Sequence, residues 1–228
     1  MSMTLYMHPA SNASRPVLLF AAEKKLDLEN KVVDILTGEH YGPEFTAFNP
    51  NRLVPVLEDG DLRLTESAAI LRYLAAKAGA PEYPTDLKKR AKVDEALDWF
   101  NTQFYREYGY GLVYPQLFPH HKRPTEDFHN GLIDWAKEKS NTWFQILDQH
   151  WIGDKPYLCG DQITIADYFG ACLATIGEPI RSDLSHYKNV SRWLGNVAKL
   201  PSWNKVNEAM MGFREMVKDK PFKAISPA

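Results

Sequence analysis

Apolar and polar positions change their period near residue 80, and that change divides the chain. Residues 4–8 form a short apolar run of strand length, and residues 15–25 carry Val17, Leu18, Ala21 and Ala22 at helical spacing on one side. A second strand is expected at 31–35. Residues 55–58 and 62–64 flank Asp59-Gly60, a dipeptide suited to the tight turn of a β-hairpin. Residues 67–78 return to helical spacing, with Ile70, Leu71 and Leu74 directed at a core. The order strand, helix, strand, irregular segment, hairpin, helix predicts a small α/β sheet unit.

The stretch GAPEYP, residues 79–84, concentrates turn formers and separates a sheet domain, residues 1–80, from an all-helical domain, residues 87–228. Residues 87–118 read as a long aromatic-rich helix and 124–151 as another, with shorter helices starting near Thr164, Tyr187 and Trp203. Thr164 and Asp167 have capping-box spacing: the threonine accepts from the Asp167 N–H while the carboxylate reaches back. The terminal PFKAISPA reads as a loosely held tail.

Composition narrows the class. Lys and Arg total 27 against 29 Asp and Glu, a net charge of −2, which argues against nucleic acid or an anionic membrane as the main partner. Two cysteines, Cys159 and Cys172, cannot build a disulfide framework and read as small buried hydrophobes, favouring a reducing compartment. The amino-terminal segment lacks the basic start and apolar run of a signal peptide, and no stretch has the apolar length of a membrane span. A cytoplasmic protein is therefore expected. His120, His121 and His129 cluster without a carboxylate or thiolate partner at ligand spacing, so no metal is expected. Lys24, Lys25 and Lys31 read as solvated charge.

Three short pieces carry candidate chemistry. Pro55 forces Val54 extended, and an extended segment with a free N–H and C=O can pair with a bound peptide as an added strand does. Glu66-Ser67 opens a helix, where bare N–H groups seat a carboxylate; the same pair also serves ordinary capping. Ser11 follows the first strand by three residues and precedes the helix at Arg15, where a hydroxyl can donate to an anionic sulfur or simply cap the helix. A thiol with an ordinary pKa near 8.5 is mostly protonated at neutral pH, so a site that uses it must favour the anion.

The segments SNASR, FNPNRLVPVL and LTESAAILRYL, followed by ITIAD in a helical half, resemble the cytosolic glutathione transferases over nearly the whole chain. HPASNASRPV and TGEHYGPEFTAFNP are similar to the serine-using theta and delta classes and the bacterial glutathione-dependent dehalogenases related to them. The resemblance implies an N-terminal thioredoxin-like domain (βαβ-ββα) followed by an all-helical C-terminal domain, with glutathione as co-substrate. It implies that Ser11 donates to the glutathione thiolate without itself attacking. Ser14 stands where related classes carry a reactive cysteine, Asn12 offers an amide donor, and Ala13 departs from a proline seen in many relatives. Glu66 and Ser67 fall to the γ-glutamyl end, Val54 and a cis Pro55 to the cysteinyl amide, and His40 and Arg52 to the glycyl carboxylate.

The second substrate is expected against Tyr105, Arg106, Tyr108, Tyr110 and Phe118, in a segment that also holds Trp99, Phe100, Phe104 and Tyr114. Arg106 is implied to lie near the sulfur, and Tyr108 and Tyr110 to face an apolar electrophile. A homodimer is implied, with Thr102 and Gln103 directed at the neighbour's ligand. The activity expected is attack of glutathione thiolate on small hydrophobic electrophiles. Alternatives are another glutathione-dependent reaction (dehalogenation, ether cleavage or isomerisation) and a non-catalytic binding module of the same fold.

Overall fold

The computed structural model describes residues 3–227. Strand β1 (Met3–Met7) leads through a turn into helix α1 (Arg15–Glu23), whose second residue, Pro16, sits where a missing N–H costs no intrahelical bond. The buried stripe of α1 is Val17, Leu19, Phe20 and Ala21; Leu18 is half-buried and Ala22 exposed, which corrects the expected face. Strand β2 (Leu28–Val32) lies three residues before the 31–35 expected and pairs with β1 in parallel, Met3 opposite Leu28 through Met7 opposite Val32. It is an edge strand, and its polar Glu29, Asn30 and Lys31 hid it from a search for apolar runs. The segment read as irregular holds one 3₁₀ turn at Glu39–Tyr41 and helix α2 (Pro43–Phe48).

Strands β3 (Val56–Asp59) and β4 (Leu62–Leu64) form the expected hairpin, and Gly60 supplies its positive φ of 64°. Helix α3 (Ser67–Lys77) follows. The sheet order is β2-β1-β3-β4, with β3 antiparallel to both neighbours. Strand alternation divides the core between the two faces. Leu5 and Leu57, paired across β1 and β3, bury against α1 and α3; Tyr6 and Val56, one step along, pack with Phe45 and Phe48 of α2.

Helix α4 (Leu87–Trp99) runs on through wider π-helical turns at Phe100–Phe104 and Arg106–Val113 into α5 (Tyr114–Leu117). Helices α6 (Glu126–Ile146), α7 (Ile165–Ala174), α8 (Lys188–Val197) and α9 (Trp203–Met216) complete the helical part. Every residue of α7 is buried. Its Thr164–Asp167 capping box forms as expected, and the Asp167 carboxylate also accepts from the Leu158 N–H at 2.8 Å and the Trp193 indole at 2.9 Å.

One apolar core runs from Leu5 in the sheet to Trp193 in α8, so the connection at 79–84 is no free tether. The Glu82 carbonyl accepts from Ile165 N–H at 3.0 Å, and the Glu82 carboxylate pairs with Lys24, which is thus not simply solvated. The terminal segment is likewise held: Ile225 is fully buried and its carbonyl accepts from Asp183 N–H at 2.8 Å. Its last residue, Ala228, lies outside the described residues. Cys172 is buried, whereas Cys159 is half-buried. No helix among the described residues is long and apolar enough to cross a membrane.

Candidate active site

The turn after β1 is built around Ser11. Its N–H donates to the His8 carbonyl at 2.9 Å, and its own carbonyl receives the N–H groups of Ser14 and Arg15 at 3.0 and 3.1 Å. The Ser11 hydroxyl oxygen also accepts from Ser14 N–H at 3.3 Å, so its hydrogen is left to point elsewhere. Ser11 lines a cleft of about 840 Å³ between the sheet and the long helix. Ser14, which stands where related classes carry a reactive cysteine, is fully buried, makes no side-chain cap bond and does not line the cleft.

Behind this turn lies Arg15, fully buried and facing no carboxylate within ion-pair distance among the described residues. It donates to the Cys172 carbonyl at 2.6 Å, to Thr175 Oγ1 at 3.3 Å and to Asn207 Oδ1, tying α1 to α7 and α9. It also donates to Asn12 Oδ1 at 2.9 Å. Asn12 in turn donates through Nδ2 to the Tyr114 hydroxyl at 3.0 Å, and Tyr114 shares a hydrogen bond of 2.6 Å with Tyr105. Tyr114 accepts from Asn12, and either phenol can donate the hydrogen bond that the two share. Burial pushes the Tyr114 phenol up to about 12 and Tyr105 well above its ordinary value. Both are therefore neutral donors at physiological pH.

The opposite wall belongs to the sheet half. The Val54–Pro55 peptide is cis, and the Val54 backbone makes no hydrogen bond with another described residue. Glu66 precedes α3 with φ 66° and ψ 112°, a conformation a residue with a Cβ rarely adopts, and no side chain caps the helix. The first N–H groups of α3 are thus open, the arrangement that receives an anion. Val54, Pro55, Glu66 and Ser67 all line the same cleft as Ser11. So do His40 and Arg52; His40 is buried with Nδ1 unpartnered among the described residues, and burial together with His120 holds its imidazole below the ordinary value.

The long helix supplies the third wall. Tyr105, Arg106, Tyr110, Tyr114 and Phe118 line the cleft, and Tyr110 stands 5.1 Å from the rings of both Tyr105 and Tyr114. Tyr108 does not line it. Its ring is fully buried against Phe104 and Phe144, because two residues along a helix lie on nearly opposite sides and Tyr110 already takes the cleft side. Arg106 is mostly exposed and bonds Glu107 through Nε at 3.0 Å. Thr102 is exposed at the cleft edge and donates to the Asp98 carbonyl at 2.7 Å, while Gln103 is half-buried outside it.

A family model of the glutathione S-transferase N-terminal domain matches residues 1–76, and that of the C-terminal domain matches residues 117–201. Human glutathione S-transferase theta-1 is 30% identical over 100% of this chain and 94% of its own length. The chain belongs to the glutathione S-transferase family. The crystal structure of human glutathione transferase theta-2, in complex with glutathione and an unknown ligand, matches with a TM-score of 0.85 at 28% identity, covering 99% of this chain and 94% of that one. A delta-class glutathione transferase from Nilaparvata lugens matches with a TM-score of 0.79 at 32% identity, covering 95% and 98%.

Within this glutathione S-transferase fold the cleft brings together Ser11, Asn12, His40, Arg52, Val54, Pro55, Glu66, Ser67, Tyr105, Arg106, Tyr110 and Phe118, and leaves out Ser14 and Tyr108. Several cleft or near-cleft residues lie outside the site expected from sequence, among them Tyr114, Arg15, His120 and His121. Tyr114 stands four residues after Tyr110 on one helix face and could have been found by spacing. Arg15 gives no sign in sequence that it is buried. His120 and His121, which the sequence suggests only as part of a histidine cluster, line the cleft, while His129 lies buried in α6. Among the described residues no group of three or more His, Cys, Asp or Glu side chains could hold a metal.

Proposed function

We propose that this protein conjugates glutathione, through its thiolate, to small hydrophobic electrophiles. The observation that carries the reading is the union in one cleft of an uncapped helix N-terminus at Glu66–Ser67, a backbone with free peptide groups at Val54 and a hydroxyl at Ser11. These match the ends and the middle of a tripeptide thiol. The α3 N-terminus and Ser67 hold the γ-glutamyl carboxylate, and Glu66 pairs with its ammonium. Val54 pairs with the cysteinyl amide as a short strand would, beside the ring of Pro55. His40 and Arg52 receive the glycyl carboxylate.

Ser11 donates its hydrogen bond to the sulfur and lowers the thiol pKa by favouring the charged form. The thiol proton leaves to solvent, the sulfur attacks the electrophilic carbon, and a leaving group such as halide departs with the bonding pair. Tyr105, Tyr110 and Phe118 pack on the electrophile, with Arg106 at the cleft edge. Alignment of the two reactants supplies the rest of the rate gain. No redox exchange through a protein thiol is invoked, since neither cysteine lines the cleft and burial pushes the Cys159 and Cys172 thiols up to about 11. A cytoplasmic homodimer with a detoxifying role, its residues 1–80 binding glutathione and 87–228 the second substrate, completes the reading.

The test is calorimetric titration with glutathione, followed by a glutathione-dependent product screen against halides, epoxides, peroxides and aryl ethers. Heat of binding with thioether products supports conjugation. Absence of binding at millimolar glutathione refutes it.

A further inference from the structure

Two imidazoles line the same cleft beside Tyr110 and Phe118, and the tripeptide seat proposed above assigns them no role. Residues Pro119–His121 form a 3₁₀ turn directly after Phe118 and set His120 and His121 on the cleft wall. Their ring centroids lie 4.5 Å apart. His121 stands 5.6 Å from the Tyr110 ring and 5.4 Å from that of Tyr114, and His120 stacks on Phe118 at 5.9 Å. Neither imidazole hydrogen-bonds another described residue, so both bring unused donor capacity to the space where the second substrate lies.

The ionisable side chains around that space are mostly basic, although burial holds the His40 and His121 imidazoles toward their neutral form. Glu66 is the one acidic side chain lining the cleft among the described residues, against Arg52, Arg106, His40, His120 and His121. Bound glutathione brings two carboxylates, one ammonium and an ionised sulfur. On the reading above Glu66 answers the ammonium, the α3 N-terminus and the His40–Arg52 pair answer the carboxylates, and Ser11 answers the sulfur. Arg106 is already paired with Glu107. Among the basic side chains lining the cleft, those left without an acceptor are His120 and His121, and the neighbours that act on them electrostatically, Arg123 on His121 and His40 on His120, are basic.

We infer that His120 and His121 determine specificity by holding a carboxylate on the electrophile, so that the second substrate is a halogenated organic acid whose hydrocarbon body packs on Tyr110 and Phe118. The inference rests on the conjugation reading. The chemical step is unchanged: the carbon–sulfur bond forms, the carbon–halogen bond breaks, halide leaves with the electron pair, and the carboxylate is a spectator. Even neutral imidazoles serve, because each can present one N–H to the anion.

The experiment compares para-(chloromethyl)benzoate with benzyl chloride, two substrates sharing a reacting carbon, under saturating glutathione. Wild-type kcat/KM is expected to favour the carboxylate by about tenfold or more, the worth of a hydrogen bond to a charged group. The His120→Ala/His121→Ala double variant is expected to bring that ratio to about one, chiefly through KM for the benzoate. The His120→Gln/His121→Gln variant, which keeps N–H donors, recovers part of it. Calorimetric glutathione binding by each variant establishes that it is folded. A wild-type ratio near or below one overturns the inference, as does a preference that survives the double alanine change. Consumption of neither chloride, with glutathione binding intact, overturns this inference, and conjugation is then decided separately by the product screen.

Discussion

Replacing Ser11 by alanine separates the role of its hydroxyl in chemistry from its role in the turn. In the folded chain the Ser11 oxygen accepts from Ser14 N–H at 3.3 Å, but that N–H also reaches the Ser11 carbonyl at 3.0 Å, so Ser11→Ala leaves it bonded. The cost in stability is therefore below about 1 kcal/mol, at the low end for loss of a cap. At the sulfur the loss is larger, because a hydrogen bond to a charged group contributes about 1.5–3 kcal/mol. At about 1.4 kcal/mol per tenfold change in ionisation, the bound thiol then titrates about one to two pH units higher. The sign is fixed: removing a donor to the thiolate disfavours the charged form, so ionisation and turnover fall at neutral pH and recover as pH rises through the new midpoint. The ultraviolet band of the thiolate in the enzyme–glutathione complex, followed across pH, reads the midpoint directly. Calorimetry at acidic pH, where the thiol is neutral in both proteins, is expected to give glutathione affinities within about threefold, since one contact of many is removed. A thiolate midpoint equal to that of the wild type would refute Ser11 as the sulfur's donor and shift attention to the second amide hydrogen of Asn12.

Three further outcomes follow from the geometry. Glu66→Gly is expected to raise the melting temperature, because φ 66° costs a residue with a Cβ about 1 kcal/mol, while weakening glutathione binding by about tenfold through loss of the ammonium partner; scanning calorimetry and titration read the two effects independently. Asp167→Asn replaces an acceptor shared by Leu158 N–H, Thr164 N–H and the Trp193 indole with a group that faces some of them donor to donor, and is expected to cost about 2–4 kcal/mol in urea unfolding; a loss below about 1 kcal/mol would contradict the account of the α7 cap. Gly109→Ala places a Cβ 2.5 Å from the Tyr105 ring, so the ring must swing toward the cleft; KM for a bulky electrophile is expected to rise at least about threefold with glutathione affinity unchanged, and equal KM values would show that the helix yields instead.

The elements with strong local signals were legible in the sequence. Asp59-Gly60 names its hairpin, Thr164 and Asp167 name their cap, and the long helical runs end within a few residues of where periodicity puts them. What stayed hidden was held by partners distant in sequence. Strand β2 gains its register from β1 with three exposed polar residues in it, and the terminal segment is fixed because Ile225 finds a pocket and Asp183 N–H an acceptor. Composition alone sets the strand three residues too late and describes the terminal segment as a tail.

The tyrosine wall shows the same division more sharply. An α-helical reading accounts for Tyr110 and Tyr114, four residues apart, but not for Tyr105, five before Tyr110. The π-helical stretch Arg106–Val113, with i→i+5 bonding, adds a residue to the turn and carries Tyr105 over Tyr110 at 5.1 Å. The same widening brings Gly111 so close to α6 that an added Cβ would stand 2.8 Å from that of Ala136. Backbone ladder and glycine contact together turn three phenols toward one cleft and send Tyr108 into the core. Arg15 then organises the wall from behind. Its one bond to Asn12 aims the amide at Tyr114, so a cation on α1, far from these phenols in sequence, holds the donor that fixes one end of the phenolic pair.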